Sequence, residues 1–261
     1  MRWSPPRSLA VALAGLALGA LPWPAPPRLH GQSPPPPAAP APDADLDKRV
    51  EALDGAINQR LDAGQIAAAV SPAREKLDLL ERRLGKDHWR TGDARRGLET
   101  YTRLAGRPRE VQESYARAHQ ADARATQLDA RGQYAEAALL RQETLTIRRD
   151  ILGEGHLEIA ASYCDLAGTL RAQGKSGEAE AMNRRALAIC LKALGEGHPD
   201  TATCYNNLGV TLWSQGEHAQ AEAMFHRALA IRLQVLGAGH PHTATCYDNL
   251  ATTLRDQGKS A

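Results

Sequence analysis

The chain has 261 residues, and its 32 Lys and Arg are balanced by 30 Asp and Glu, giving a formal net charge of +2. This balance argues against a dedicated nucleic-acid-binding protein, which needs a strongly basic surface. Hydrophobic residues make up 43% but aromatic residues only 4%, which favours a core of small and aliphatic side chains, as in closely packed helices. The four cysteines include no C-x-x-C pair, so neither a zinc framework nor a disulfide-rich scaffold is indicated.

The first segment, 1–31, has the features of an export signal. Arg2 and Arg7 precede an apolar run of 13 residues, Leu9 to Leu21, which is too short for a relaxed membrane span. We therefore expect export to the periplasm or the extracellular space. If the segment is not cleaved, the same run would act as a weak N-terminal anchor, which is the only segment that the sequence predicts to enter a membrane.

Between this segment and the repeats, two regions carry weaker signals. Residues 32–45 belong to a proline-rich stretch that favours an extended polyproline II spacer, with a proline-rich ligand as the alternative. Residues 46–112 are predicted to be a degenerate helical region in which Pro72 could restart a helix. Within it, the basic insert Arg90 to Arg109 is interpreted as a solvated connector, with a phosphate or membrane-surface patch as the alternative.

Three blocks in the C-terminal half repeat with a period of 42 residues. The blocks 153–176, 195–218 and 237–260 align without gaps and are identical at ten of 24 positions. Composition alone cannot produce such agreement, so a repeat array is predicted. Upstream, residues 132–152 have the spacing of the second helix of a repeat, and its partner is expected at Arg109 to Ala130.

Small and apolar residues in the block 195–218 recur at three- and four-residue steps, which places them on one face of a helix, here called helix A. These residues are Ala202, Tyr205, Leu208, Gly209 and Leu212. Residues 217–236 follow as a second amphipathic helix, helix B. Each repeat is therefore a helical hairpin that buries its apolar faces only by stacking on its neighbours, which predicts an all-α fold.

These residues resemble the tetratricopeptide repeat, in the 42-residue form found in the kinesin light chain. The positions that match its pattern are Tyr205, Leu208, Gly209, Gly216, Ala221, Phe225 and Ala228, with Tyr in place of Trp and Leu212 in place of Tyr. The resemblance implies a right-handed superhelical array of antiparallel helix pairs, an α-solenoid, over residues 113–261. It also implies that the A helices line a concave peptide groove. The last repeat is expected to be incomplete, because Ala261 follows a helix A.

The resemblance assigns to this groove the A-helix residues that lie away from the core stripe. The candidate binding residues are Arg171, Thr203, Asn206, Asn207, Val210, Trp213, Asp248, Asn249 and Arg255. Asn side chains can hold a peptide backbone, Arg can pair with a carboxylate, and Trp can supply an apolar contact. The alternative is that Asn207 and Asn249 bridge neighbouring A helices and that the others are merely solvated. The family's Lys and Asn clamp for two carboxylates is not reproduced.

Two residue types recur near the repeat period. His156, His198 and His240 could suggest a metal site, but stacked repeats lie about 10 Å apart, whereas the ligand atoms of zinc lie about 2 Å from one ion. Capping of helix A is the favoured role. Cys204 and Cys246 are also 42 residues apart, and all four cysteines are interpreted as small buried fillers that are too far apart for disulfides.

No catalytic motif is present: the sequence has no G-x-S-x-G, no P-loop and no H-E-x-x-H. We expect a non-enzymatic scaffold for an extended peptide or partner protein, with no catalytic residues, cofactor, metal or nucleic acid. One alternative is the N-terminal docking or sensing part of a longer enzyme, a caspase-like peptidase or a kinase, as in bacterial arrays that resemble this one. Another is a self-assembling array joined through its unfinished last repeat.

Overall fold

The computed structural model describes residues 43–258, and within this range all regular secondary structure is α-helical. The proposed export segment and nearly all of the proline-rich linker lie outside the described residues and stay predictions. None of the described helices is long and apolar enough to cross a bilayer. The ten helices are α1 (Ala44–Asp62), α2 (Ile66–Leu84), α3 (Trp89–Ala105), α4 (Arg109–Ala130), α5 (Tyr134–Leu152), α6 (Leu157–Ala172), α7 (Ser176–Leu194), α8 (Pro199–Ser214), α9 (His218–Leu236) and α10 (Pro241–Asp256).

Helices α4 to α10 form the predicted repeat array. The even-numbered helices α4, α6, α8 and α10 are the A helices, and α5, α7 and α9 are the B helices, each packed on the helices before and after it. Glycines with positive φ end the helices, for example Gly216 at 80° after α8 and Gly237 at 83° after α9. Such angles are strained for other residues, which explains why glycine recurs every 21 residues. The predicted helices at Arg109 to Ala130 and 132–152 are confirmed as α4 and α5.

The predicted core stripe of helix A is buried between the helices of its own repeat. Tyr205, Leu208 and Leu212 of α8 pack with Phe225 of α9 in one apolar cluster. Gly209 lies against the ring of Phe225, because a Cβ at this position would be 2.7 Å from Phe225 Cε1. The absence of a side chain at Gly209 therefore leaves room for the one phenylalanine ring of the core.

The N-terminal region is more regular than the sequence suggests. Pro72 lies inside α2, which continues through it, so a new helix does not start there. The interpretation of residues 90–109 as a solvated connector is wrong, because most of this segment forms α3, which packs against α2. Its Ala94 and Leu104 are buried. Its basic side chains pair with neighbouring helices: Arg90 binds Asp47 of α1 and Arg95 binds Glu81 of α2, both at 2.8 Å.

Helix α3 also runs past the first turns of two A helices in the array. Near its C-terminal end, Thr100 Oγ1 lies 3.0 Å from Nε2 of His156, at the start of α6. Near its N-terminal end, the ring of Trp89 packs edge-on against His198, at the start of α8, with ring centroids 5.9 Å apart. The N-terminal helices therefore contact the array at several repeats, and not only at its first helix.

Candidate functional site

The repeated histidines cap the helices that line the array. In His156, His198 and His240, Nδ1 accepts a hydrogen bond from the backbone N–H two residues later, at 3.2, 3.2 and 3.1 Å. His88 does the same for α3, at 3.2 Å. The first turn of a helix has unpaired N–H groups, and a side chain that accepts from one of them stabilises the helix. The predicted capping role is confirmed.

One of these histidines lies in a group of potential metal ligands. The ligand atoms of Asp93, His198 and Asp200 lie within 4.8 Å of one another. However, Nδ1 of His198 accepts the capping bond, so the proton of the neutral ring must be on Nε2. That Nε2 lies 3.5 Å from Asp93 Oδ1 and forms no hydrogen bond with any residue of 43–258. A metal ion could bind Nε2 only if this nitrogen had a free lone pair, but in this tautomer Nε2 carries the proton. The group is therefore better described as a capping histidine that faces a carboxylate.

Between successive A helices, the same three repeat positions meet in a buried layer. In the first layer, Arg148 of α5 donates to Asp122 of α4 at 2.9 Å and to Ser162 of α6 at 2.8 Å. Burial alone would lower the pKa of Arg148, but the negative charges of Asp122 and Glu158 have the larger combined effect and raise it. The layer therefore joins three helices through one buried cation.

In the last layer, Arg232 of α9 donates to the thiol of Cys246 of α10 at 3.1 Å, and that thiol lies 3.9 Å from Oδ1 of Asn206 in α8. In the middle layer, the three positions are Cys164, Cys190 and Cys204. Sequence reasoning correctly predicted small buried cysteines at 190 and 204, but it missed that three thiols meet. The sequence does contain a signal for this meeting. Each cysteine is 42 residues away from a residue of the first layer, but the pattern becomes visible only when the equivalent positions of all three helices are compared.

The candidate binding residues of α8 and α10 are partly used to join these two helices. Nδ2 of Asn249 donates to Oδ1 of Asn206 at 3.0 Å, and Nε1 of Trp213 donates to Asp256 at 2.8 Å. Asn206 is only 8% exposed. The structure therefore places Asn206 inside the α8–α10 contact and not on an open groove, because its carboxamide meets the next A helix. The bridging role considered for Asn249 is what the structure shows.

Three other candidate residues come together at a concave surface between α6 and α8. Arg171, Asn207 and Val210 line a concavity of about 170 Å³. Its remaining lining residues are Cys164, Gly168, Asn183 and Thr211. The Asn207 side chain also helps to lower the pKa of the Cys164 thiol in α6, so it acts on the neighbouring A helix as well as lining the surface. We call this surface the α6–α8 concavity.

Asn183 of the B helix α7 also lines the α6–α8 concavity. Sequence reasoning missed this residue. Its Nδ2 donates to Thr211 Oγ1 at 2.9 Å and to the backbone oxygen of Asn207 at 3.3 Å. Its Oδ1 is buried and has no hydrogen-bond partner among the described residues. A buried acceptor without a partner costs about 1–3 kcal/mol, so a donor that reaches it would be favoured.

The remaining candidates are not gathered into one site. Thr203 of α8 is exposed but accepts a hydrogen bond from Arg232 at 3.3 Å. Asp248 and Arg255 are exposed on α10, and the Arg255 guanidinium lies 3.8 Å from the neighbouring Asp256. The predicted set therefore divides into the α6–α8 concavity, the α8–α10 contact and the open surface of α10.

Among known proteins, similarity to this chain is found in solved structures. A search of curated proteins finds no match. Among solved structures, BtubC (BKLC) from P. vanneervenii aligns with a TM-score of 0.54 and 22% identity over 83% of this chain and 86% of that one. Two structures of a Podosopora anserina protein with nearly identical kinesin-light-chain TPR-like repeats align at 20% identity over 82% of this chain, with TM-scores of 0.45 and 0.44 and 87% and 88% of those chains covered.

Family models give the assignment directly. Models described as tetratricopeptide repeat match residues 123–192, 201–242 and 243–261, together about half of the chain. The matched residues contain the A and B helices whose caps, glycine turns and core stripe are described above. The solved structure with the higher TM-score shares this fold of stacked helix pairs. The chain therefore belongs to the tetratricopeptide repeat family.

Proposed function

We propose that this protein is a non-enzymatic scaffold that binds an extended segment of a partner protein in the α6–α8 concavity. Tetratricopeptide arrays are protein–protein interaction scaffolds, and the proposal narrows this role to one surface. The observation that carries it is the convergence of Arg171, Asn207 and Val210 with the unpartnered Oδ1 of Asn183. A peptide offers partners for all four groups: a carboxylate for the arginine, backbone groups for the carboxamide, an apolar side chain for the valine and an N–H donor for the free acceptor.

The size of the concavity limits the ligand. At about 170 Å³, it is smaller than the 300–1,000 Å³ typical of small-molecule sites. One side chain of an extended peptide fits this space better than a whole metabolite does. The neighbouring peptide backbone could then bind the Asn207 carboxamide, and stacked repeats would supply a preformed surface that lowers the ordering cost.

The exposed arginine indicates the charge of the ligand. Arg171 lies at the edge of the concavity and is exposed, and no ion pair holds it within 43–258. An arginine fork binds carboxylates with two hydrogen bonds. We therefore expect an acidic residue in the bound segment, next to the side chain that enters the concavity.

A selection experiment tests this proposal. A phage-displayed library of random dodecapeptides is selected on the full chain, and the enriched peptides are measured by fluorescence anisotropy. Arg171→Glu should weaken them at least ~10-fold, as loss and reversal of one ionic contact costs about 1.4 kcal/mol or more. The matched control is Arg184→Glu on the outer helix α7. Arg184 pairs with Glu180 at 2.6 Å, and its replacement should leave affinity unchanged. Equal affinity for both variants would contradict the site.

A second candidate function has its own observation. Tyr247 of α10 is 46% exposed, on the helix face that a B helix covers in the preceding repeats. We propose as this second candidate that another copy of the chain covers this face. Tyr247→Glu should then lower the average mass measured by light scattering at high concentration. A mass that does not change with concentration in the wild type would exclude it.

A further inference from the structure

Three buried layers occupy equivalent places in the array but differ in chemistry. Position 148 and its equivalents, 42 and 84 residues later, are Arg148, Cys190 and Arg232. In the first and last layers, the arginine donates to side chains of the A helices on either side. The middle layer has no such cation, and its two A-helix positions are also cysteines, Cys164 and Cys204. A polar contact between three helices is replaced there by three thiols.

The thiols of the middle layer are within contact distance. Cys204 Sγ of α8 lies 3.3 Å from Cys190 Sγ of α7 and 3.9 Å from Cys164 Sγ of α6. A disulfide bond is about 2.05 Å long, so the closer pair needs a movement of little more than 1 Å. Cys204 is central, because it contacts both of the others.

Access to the layer comes from one side. Cys190 and Cys204 are both 3% exposed, whereas Cys164 is half-buried and lines the α6–α8 concavity. Hydrogen bonds from Cys204 and Asn207 lower the pKa of Cys164 despite its burial. Hydrogen bonds to its two neighbouring thiols, together with burial, raise the pKa of Cys204. The accessible sulfur is thus also the one whose pKa is lowered, and the thiolate is the nucleophile in disulfide exchange.

We propose that Cys164, Cys190 and Cys204 form a thiol–disulfide exchange site, in which a low-molecular-weight disulfide reacts at Cys164 and the oxidation is retained as a Cys190–Cys204 disulfide. The site does not depend on peptide binding. It goes beyond the scaffold function because it makes one junction of the array, that between α7 and α8, sensitive to thiol redox conditions.

The reaction balances in three exchanges. The Cys164 thiolate attacks one sulfur of the reagent RSSR, which forms a mixed disulfide and releases RS⁻, and this takes up the proton that Cys164 lost. Cys204 then attacks Cys164 Sγ and releases the second RSH, leaving a Cys164–Cys204 disulfide. Cys190 finally attacks Cys204 Sγ, which returns Cys164 to its thiol. Overall, two protein thiols are oxidised and RSSR is reduced to two RSH.

Trypsin separates all four cysteines, which makes the product easy to identify. Cleavage after Lys and Arg places Cys164 in peptide 150–171, Cys190 in 186–192, Cys204 in 193–227 and Cys246 in 233–255. The full chain is incubated with oxidised glutathione at neutral pH, the remaining thiols are alkylated, and the digest is analysed by mass spectrometry. The expected product is peptide 186–192 linked to 193–227, with peptides 150–171 and 233–255 alkylated.

Variants distinguish the role of each thiol. Cys204→Ser, which copies Ser162 of the first layer, should abolish every intramolecular link. Cys164→Ser should slow formation of the Cys190–Cys204 link at least ~10-fold, because entry is then through a buried thiol. Cys190→Ser should stop the reaction at a Cys164–Cys204 link. Cys246→Ser is the control and should react like the wild type.

Several results would overturn the proposal. These are no linked peptide in the wild type, a linked peptide without Cys204, or an unchanged rate in Cys164→Ser. Circular dichroism of each variant checks that it is folded. If Cys204→Ser is unfolded, Cys190→Ser decides the matter, since it must accumulate the Cys164–Cys204 link.

Discussion

Helices α8 and α10 have almost the same first half, yet their equivalent tyrosines have different surroundings. Both contain the sequence Thr-Ala-Thr-Cys-Tyr, but Tyr205 is 2% exposed and Tyr247 is 46% exposed. The difference is α9, which covers Tyr205 and places the guanidinium of Arg227 5.5 Å from its ring centroid. Identical residues in an array therefore do different things according to the helices stacked against them.

Replacement of the two tyrosines is the strongest test of this comparison. Tyr205→Ala should cost about 3–5 kcal/mol of unfolding free energy, because it removes a fully buried aromatic ring. Tyr247→Ala should cost below about 1 kcal/mol, as expected for a half-exposed side chain. Urea denaturation of both variants measures the difference. Equal losses would show that Tyr247 is covered in solution.

Gly209 gives the next largest effect. Gly209→Ala should destabilise by about 1–3 kcal/mol, because the added Cβ would meet the ring of Phe225 at 2.7 Å. Gly168→Ala, in α6, has nothing within 4 Å of the added Cβ and should instead stabilise by up to about 1 kcal/mol through helix propensity. Opposite shifts in melting temperature are expected, and shifts of the same sign would contradict the close contact between Gly209 and the Phe225 ring.

The asparagine bridge should have a smaller effect. Asn249→Ala leaves Oδ1 of the buried Asn206 without its amide donor, at a cost of about 1–2 kcal/mol. The neighbouring Asp248→Ala, on the exposed surface of α10, should stay within about 0.5 kcal/mol of the wild type. Denaturation midpoints compare the two. If Asn249→Ala leaves the stability unchanged, Asn206 and Asn249 do not stabilise the α8–α10 contact and become candidate ligand contacts again.

The smallest expected effect is on pH dependence. Burial, with Arg103 as a further cause, lowers the pKa of His156, while Glu158 opposes this shift. The folded state thus binds fewer protons, so stability is complete above the ordinary pKa of about 6.5 and is lost as the pH falls through the lower folded value. His156→Asn keeps a cap without titration. It should show a smaller drop in urea midpoint between pH 7.5 and pH 5.5 than the wild type; an equal drop would exclude His156 as a source.

How far the sequence predicts the structure depends on how strictly the repeat is kept. The helices from Arg109 onward, the glycine turns and the histidine caps of α6, α8 and α10 follow from the period, because one local hairpin is copied. Helix α3 was missed because its arginines suggest a solvated surface, whereas they pair with α1 and α2. Its apolar spacing, from Ala94 through Leu98 to Tyr101, was the available signal.

The candidate site was predicted only in part, for a different reason. The spacing of Asn206 and Trp213 places them on one face of α8, but it does not tell whether the next helix covers that face. In the structure, both side chains form hydrogen bonds with residues of α10. Arg171, Asn207 and Val210 instead line the α6–α8 concavity. The meeting of three thiols likewise depends on packing between helices that are distant in sequence.

Hydrogen exchange of the full chain, followed by mass spectrometry, tests most directly the claim that stacking decides the role of each repeat. The claim predicts that backbone amides of α8 exchange much more slowly than the equivalent amides of α10, at every protein concentration at which the chain is monomeric. Equal protection of α8 and α10 in the monomer would contradict it.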